Sequence, residues 1–229
     1  DGATLTVLDK DGNEIDKWTS VKGEPHIIKR LHVGETYILR EEFAPYGYLK
    51  AEEVEFTITD TAEIQKVEMK DDVPIGRIII NKKGEFLSEV SWNDMVAGAM
   101  DSIWGSVTGS LKDVTFEIYA REDIKAADGE SDDYYKKDEL VATIKTDELG
   151  IARTDDLPLG KYYVVEKETA DGFVLDGEPR DIDLTYRDQD TPVVTFDSEW
   201  QNSRQKAKVL VTKKEKASDR VLEGGVFAL

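Results

Sequence analysis

Short runs of alternating apolar and polar residues, separated by turns rich in glycine, proline and aspartate, fill most of this chain. Ala3–Val7 (ATLTV) alternates and meets Glu14–Ser20 across an Asp11-Gly12 turn, which predicts a β-hairpin. His26–Leu31, Thr36–Arg40, Glu53–Thr59 and Glu63–Lys70 read as further short strands. Gly76–Asn81 (GRIIIN) is a strongly apolar strand ending at Lys82, and strands resume at Asp113–Ala120, Glu139–Lys145, Gly160–Glu166, Arg180–Tyr186 and Thr191–Trp200. Successive strand side chains point to opposite faces, so runs of this length and spacing bury one face each and predict an all-β sandwich architecture.

Two stretches depart from that pattern. Within Phe86–Lys112, the residues Trp92, Met95, Val96, Ala99 and Ile103 recur at spacings of three and four, with Trp104 alongside. That period predicts a short amphipathic helix, closed by Gly105–Gly109, which either caps the sandwich or displays Trp92 and Trp104 as ligand anchors. Between Arg121 and Lys137 an acidic stretch, ADGESDDYYKKD, predicts a mobile loop.

The pattern also repeats. Gly34–Tyr48 (GETYILREEFAPYGY) and Gly160–Phe173 (GKYYVVEKETADGF) each place a tyrosine four residues before a glutamate, Glu41 or Glu166, and each closes on a Gly-aromatic turn. Ala207–Lys213 (AKVLVTK) restates Gly76–Lys82, and Leu222–Leu229 restates Asp1–Val7. Asp71 precedes Lys82 by eleven residues, as Asn202 precedes Lys213. This register divides the chain into a β-sandwich at 1–73 without its first strand, a complete one at 74–203 with an insertion at 86–112, and the first strand of another at 204–229.

Three polar residue types recur at fixed places: a lysine ending the first strand, a glutamate in the tyrosine motif, and Asn or Asp ending the last strand. In 74–203 these are Lys82, Glu166 and Asn202. Strand parity puts Lys82 on the face of Ile78 and Ile80, and Asn202 on the face of Phe196 and Trp200. Three polar groups in one apolar interior are costly unless they interact.

These motifs, with the TDELGIARTDDLPLGKYYVVE run ahead of Glu166, resemble the collagen-adhesin B-type (SpaA-type, prealbumin-like) repeats of Gram-positive surface proteins and pilins. The resemblance covers the chain apart from Phe86–Lys112; Ala170 stands where the family motif has a proline. It implies tandem Ig-like, prealbumin-like sandwiches and a spontaneous isopeptide bond, with Lys82 as nucleophile, Asn202 as electrophile and Glu166 as proton shuttle. By the same carry-over Asp71 and Glu41 serve the first unit and Lys213 a third. Burial favours a neutral, nucleophilic amine and a protonated carboxyl that polarises the Asn202 carbonyl. The reaction runs once per molecule, so no turnover enzyme is expected. The resemblance further implies a stalk segment of an adhesin or pilus at the bacterial cell surface, its partners being neighbouring repeats. The rival reading is a module that binds a host glycan or matrix protein through the insertion or the acidic loop. For the unpartnered Asp71 the favoured expectation is a segment cut from a longer array, and the alternative is strand exchange, Lys213 of one chain serving Asp71 of another copy.

Composition narrows the field. A net charge of −19 repels nucleic acid and anionic membrane surfaces. The absence of cysteine excludes disulfides and thiolate chemistry, and with only His26 and His32 no cofactor or metal centre is expected. Asp9-Lys10-Asp11-Gly12-Asn13 has the look of a calcium loop but lacks its remaining ligands, and a hairpin turn accounts for it. No apolar stretch is long enough to span a bilayer, and a chain beginning at Asp1 reads as a processed or excised segment.

Overall fold

The computed structural model describes residues 1–88, 105–207, 211–218 and 220–222, and every regular element among them is a β-strand. Four strands form the first sheet: β1 (Thr4–Asp9), β2 (Glu14–Thr19), β3 (Thr36–Phe43) and β4 (Val54–Thr57), in the order β2-β1-β3-β4. The β1–β2 hairpin closes as its sequence predicts, with Gly12 at φ 84° and the Asp9 carboxylate accepting from the backbone N–H groups of Asp11 (2.9 Å) and Asn13 (2.8 Å). The Asp9 side chain therefore shapes the turn.

Two further sheets face one another across the main core. The first contains β5 (Ile75–Ser88), β6 (Gly105–Ser110), β9 (Ile151–Arg153), β10 (Leu157–Pro158) and β13 (Val193–Asn202). The second has the order β12-β11-β7-β8, from β7 (Thr115–Ala120), β8 (Leu140–Lys145), β11 (Gly160–Glu168) and β12 (Arg180–Leu184). Its order matches the first sheet strand for strand, with β7 standing for β1 and β11 for β3. Between the two layers lie Ile78 and Ile80 of β5, Phe116 and Ile118 of β7, Tyr162 and Val164 of β11, and Leu184 of β12, all with no exposed surface. Burial of apolar side chains on this scale holds the layers together.

β5 is the axis of its sheet. It runs parallel to β13, with Ile75 opposite Val193 and Gly84 opposite Asn202, and antiparallel to β6, β9 and β10 on its other side. Its fourteen residues outrun the GRIIIN segment, because β6 pairs with Lys83–Ser88 and prolongs it. The base of the insertion is thus a β-hairpin: 86–88 and 105–110, expected to leave the β pattern, remain in it. The expected amphipathic helix, with Trp92 and Trp104, lies outside the described residues.

Two expected strands are corrected. His26–Leu31 and Glu63–Lys70 alternate like strands yet form none. By the repeat register they correspond to the β9–β10 region and to β13, the two neighbours of β5. A strand needs a partner for its backbone N–H and C=O groups, and no described strand lies between these two segments. The acidic loop makes contacts of its own. Ile124 is buried and bridges Tyr135, the Asp128 carboxylate accepts from the N–H groups of Glu130 and Ser131, and Lys22 pairs with Glu130 across the junction.

That junction is built from the Gly-aromatic turn of the first motif. Tyr46 meets Tyr186 edge-on at 4.8 Å, the Tyr186 hydroxyl donates to the Tyr48 carbonyl, and Gln189 bonds both Ala44 N–H and the Glu42 carbonyl. A cavity of about 350 Å³ lies beside it, lined in part by Tyr46, Val73, Ala127, Tyr134 and Tyr186.

Candidate functional site

β5 brings Lys82 to the buried face by strand parity, continuing the stripe of Ile78 and Ile80; the side chain is 1% exposed. β11, in the opposite sheet, presents Glu166 (3% exposed), and the last residue of β13 presents Asn202 (1% exposed). The three expected residues meet. Lys82 Nζ donates to Glu166 Oε2 at 2.6 Å, while Asn202 Nδ2 donates to Glu166 Oε1 and, at 2.8 Å, to Thr169 Oγ1. The carboxylate of Glu166 therefore bridges the amine of one strand and the amide of another.

The surroundings are apolar. Phe116 lies under the amine, its ring centre 5.6 Å from Nζ, and Trp200 packs edge-on against Phe116 at 5.5 Å. Desolvation pushes the Lys82 pKa below the ordinary lysine value, with the bond to Glu166 opposing it. A buried lysine whose charge is disfavoured is the form in which an amine becomes nucleophilic.

Two glycines make the room. Gly84 sits opposite Asn202, and a Cβ there would lie 2.5 Å from the Phe173 ring, so the aromatic residue closing the second motif can cover the site only over a glycine. Gly150, at φ 75°, approaches Lys82 so closely that a Cβ would come within 2.5 Å of the Lys82 carbonyl. Its own carbonyl accepts from Lys82 N–H at 2.7 Å, holding the end of the stripe in place.

One atom is left over. Asn202 Oδ1 is buried and has no hydrogen-bond partner. Glu166 thus stands against the amide nitrogen, not against the carbonyl oxygen that it was expected to polarise. The arrangement suits a proton relay through the carboxyl group. Oε2 can take a proton from the amine as it attacks Cγ of Asn202, and Oε1 can deliver one to Nδ2 as ammonia leaves. Thr169 and Phe116 were not among the expected residues. Thr169 could have been noticed because it stands where the first motif has Ala44, but its contact with Asn202 depends on a fold-back that spacing does not reveal.

The first motif holds half of such a site. Glu41 is 1% exposed; its Oε2 accepts from Ala51 N–H at 2.7 Å, and its Oε1 has no partner. Burial raises the Glu41 pKa, and the nearby Asp71 charge raises it further. Asp71 is itself raised, mainly by desolvation. The Lys50 charge acts on Glu41 and the N-terminal amine on Asp71, each opposing the rise, and among the described residues no hydrogen bond or ion pair joins a lysine to either carboxyl. Lys213 is exposed and lies far along the chain, its carbonyl accepting from Leu222 N–H at 2.9 Å.

Comparison with known proteins bears on the fold. The family model "SpaA: Prealbumin-like fold domain" matches residues 1–73 and 105–200. Among solved structures, the TIE protein of Bacillus anthracis is 23% identical with a TM-score of 0.48, over 88% of this chain and 30% of that one. GBS52, a minor pilin of Streptococcus agalactiae, is 12% identical with a TM-score of 0.37, over 93% and 87% of the two chains. The major pilin SpaD of Corynebacterium diphtheriae is 22% identical with a TM-score of 0.34, over 57% and 32%. The chain thus spans about a third of the length of TIE and of SpaD. Among curated proteins, none matches the sequence. Matched over more than half its length, the chain belongs to the SpaA prealbumin-like fold domain family.

Proposed function

We propose that this chain is a structural stalk segment of a Gram-positive surface adhesin or pilus, stiffened by an isopeptide bond between Lys82 and Asn202. The observation that carries the reading is the buried Lys82–Glu166–Asn202 chain, which joins β5, β11 and β13 in an apolar interior. An unbonded ion pair in this position is a poor source of stability, because the desolvation penalty offsets the Coulombic gain. The same groups are well arranged to react. Lys82 Nζ bonds to Asn202 Cγ, the Cγ–Nδ2 bond breaks, and ammonia leaves with the proton that Glu166 has carried across.

Partners held in attacking geometry behave as though at very high concentration, on the order of 10⁵ M or more, so no turnover machinery is needed. The units at 1–73 and 74–203, and the start of another from 204, are read as successive segments of the stalk, with neighbouring repeats as partners. Hydrogen bonds across the junction, from Gln189 and Tyr186 to the first motif, support a fixed relation between successive units. The acidic loop supports the stalk reading over the ligand-binding one, since Ala127 meets Gly47 and Glu130 pairs with Lys22 at that junction.

Intact mass tests the proposal. A bonded chain weighs one ammonia less than its sequence, and peptide mapping recovers Lys82 joined to Asn202. A chain at full sequence mass would end the proposal.

A further inference from the structure

Arg180 is an inward-facing charge with no part in the steps at Lys82 and Asn202. It opens β12 directly opposite Val164 of β11, and parity puts it on the buried stripe of Ile182 and Leu184. Val164 shares its face with Glu166, so Arg180 is the inward position of β12 nearest the reacting carboxyl. An arginine on such a stripe carries its guanidinium to the rim of the sandwich, and this side chain stays 40% exposed. There the guanidinium lies over the Trp200 ring, 4.5 Å from its centre, and donates to Asp176 Oδ2 four residues back.

From Trp200 the contacts continue to the amine. Trp200 Nε1 donates to Ser198 Oγ at 3.1 Å, which fixes the indole, and its ring meets Phe116 edge-on at 5.5 Å. Phe116 in turn has its ring centre 5.6 Å from Lys82 Nζ. Guanidinium, indole, phenyl ring and amine thus stand in one file, from the rim at β12 to the sealed interior. Both aromatic residues are buried, with the arginine as the outermost member.

We propose that Arg180, held by Asp176, is a positioning residue for the Lys82–Asn202 bond, clamping Trp200 and Phe116 behind the amine and facing it with a like charge. This rests on the reaction proposed for Lys82, Glu166 and Asn202. The amine attacks as a neutral group, its proton passing to Glu166. Desolvation does most to disfavour the ammonium; Glu166 and Asp176 oppose it, and Arg180 adds to it. These are the charges that face the amine: Glu166 from β11, Asp176 from the connection after it, and Arg180 from β12. Phe116 of β7, and Trp200 and Asn202 of β13, bring none.

Arg180 and Asp176 are paired with each other yet act on the amine in opposite directions. A side chain that only covered Trp200 would change the rate of bond closure by one factor at every pH. A charge facing the amine instead moves the pH at which that rate changes. Without the Arg180 charge, Lys82 keeps its proton to higher pH; without the Asp176 charge, it gives the proton up at lower pH.

The test uses full chains recovered unfolded from inclusion bodies and refolded across a range of pH, with the loss of ammonia followed by intact mass. Arg180→Gln is expected to close severalfold more slowly near neutrality, with its rate profile displaced to higher pH. Asp176→Asn is expected to displace the profile to lower pH, and Arg180→Lys to restore the parent's position. Profiles that coincide with the parent's, or that move the same way in Arg180→Gln and Asp176→Asn, overturn the inference. Should Arg180→Gln fail to fold, the direction taken by Asp176→Asn decides. A parent that bonds while its variants keep its profile rejects this role alone, whereas a parent at full sequence mass at every pH rejects the isopeptide reading with it.

Discussion

Lys82 and Glu166 come from opposite sheets and meet at 2.6 Å with both side chains sealed from solvent. Neither has another charged partner at hydrogen-bonding distance among the described residues, and the far oxygen of Glu166 is engaged by Asn202. Amine, carboxyl and amide therefore form a single connected unit.

Replacing Glu166 by Gln keeps the size of the side chain and removes the proton carrier. The expected product is a folded protein at full sequence mass, unlike the parent. The bond closes a loop of about 120 residues, so losing it should cost ~4–5 kcal/mol of stability by the loop-entropy relation. Thermal and denaturant unfolding of the parent and of Glu166→Gln check this.

Asn202 Nδ2, the nitrogen that leaves in the proposed reaction, donates to Thr169 Oγ1 at 2.8 Å. Thr169→Ala frees that amide to turn. Bond formation is expected to slow while still reaching completion, with Thr169→Ser restoring the rate. The readout is the fraction of ammonia-depleted chain against time after refolding.

Gly84→Ala would place a methyl group where the Phe173 ring now lies. Overpacking of this kind costs about 1–3 kcal/mol. A lowered midpoint in urea, with slower closure of the Lys82–Asn202 bond, is the expected outcome.

Glu41 and Asp71 both have raised pKa values, chiefly from desolvation. In the window from the ordinary carboxylate range up to the raised values, the folded state holds more protons than the unfolded one. Stability of the first unit is thus fully present at the acidic end and falls as pH rises through that window. Glu41→Gln should flatten the slope. Melting curves of parent and variant from mild acid to neutrality measure it.

Strand parity and the doubled motif made the meeting of Lys82, Glu166 and Asn202 readable in advance. Alternation alone sends Lys82, Glu166 and Asn202 inward, and two copies of the motif single out which glutamate matters. What stayed hidden depends on neighbours. His26–Leu31 and Glu63–Lys70 carry strand-like patterns, but a strand is a relation between chains of backbone and not a property of one segment. The contacts of Phe116 and Thr169 cross between sheets or fold back from a turn, so residue spacing holds no record of them. The burial of Ile124 within the acidic stretch was likewise not legible, since composition there is dominated by polar residues.

The parallel pairing of β5 with β13 has a mechanical consequence. The chain enters this pair at Ile75 and leaves it at Asn202, at opposite ends, so tension along the protein loads the ladder in shear. With the proposed Lys82–Asn202 bond in place, that tension would cross only the eight residues from Ile75 to Lys82 before passing out. Everything between, including the hairpin insertion and the acidic loop, then lies off the load path. Those segments can change in length or sequence without weakening the line along which force travels.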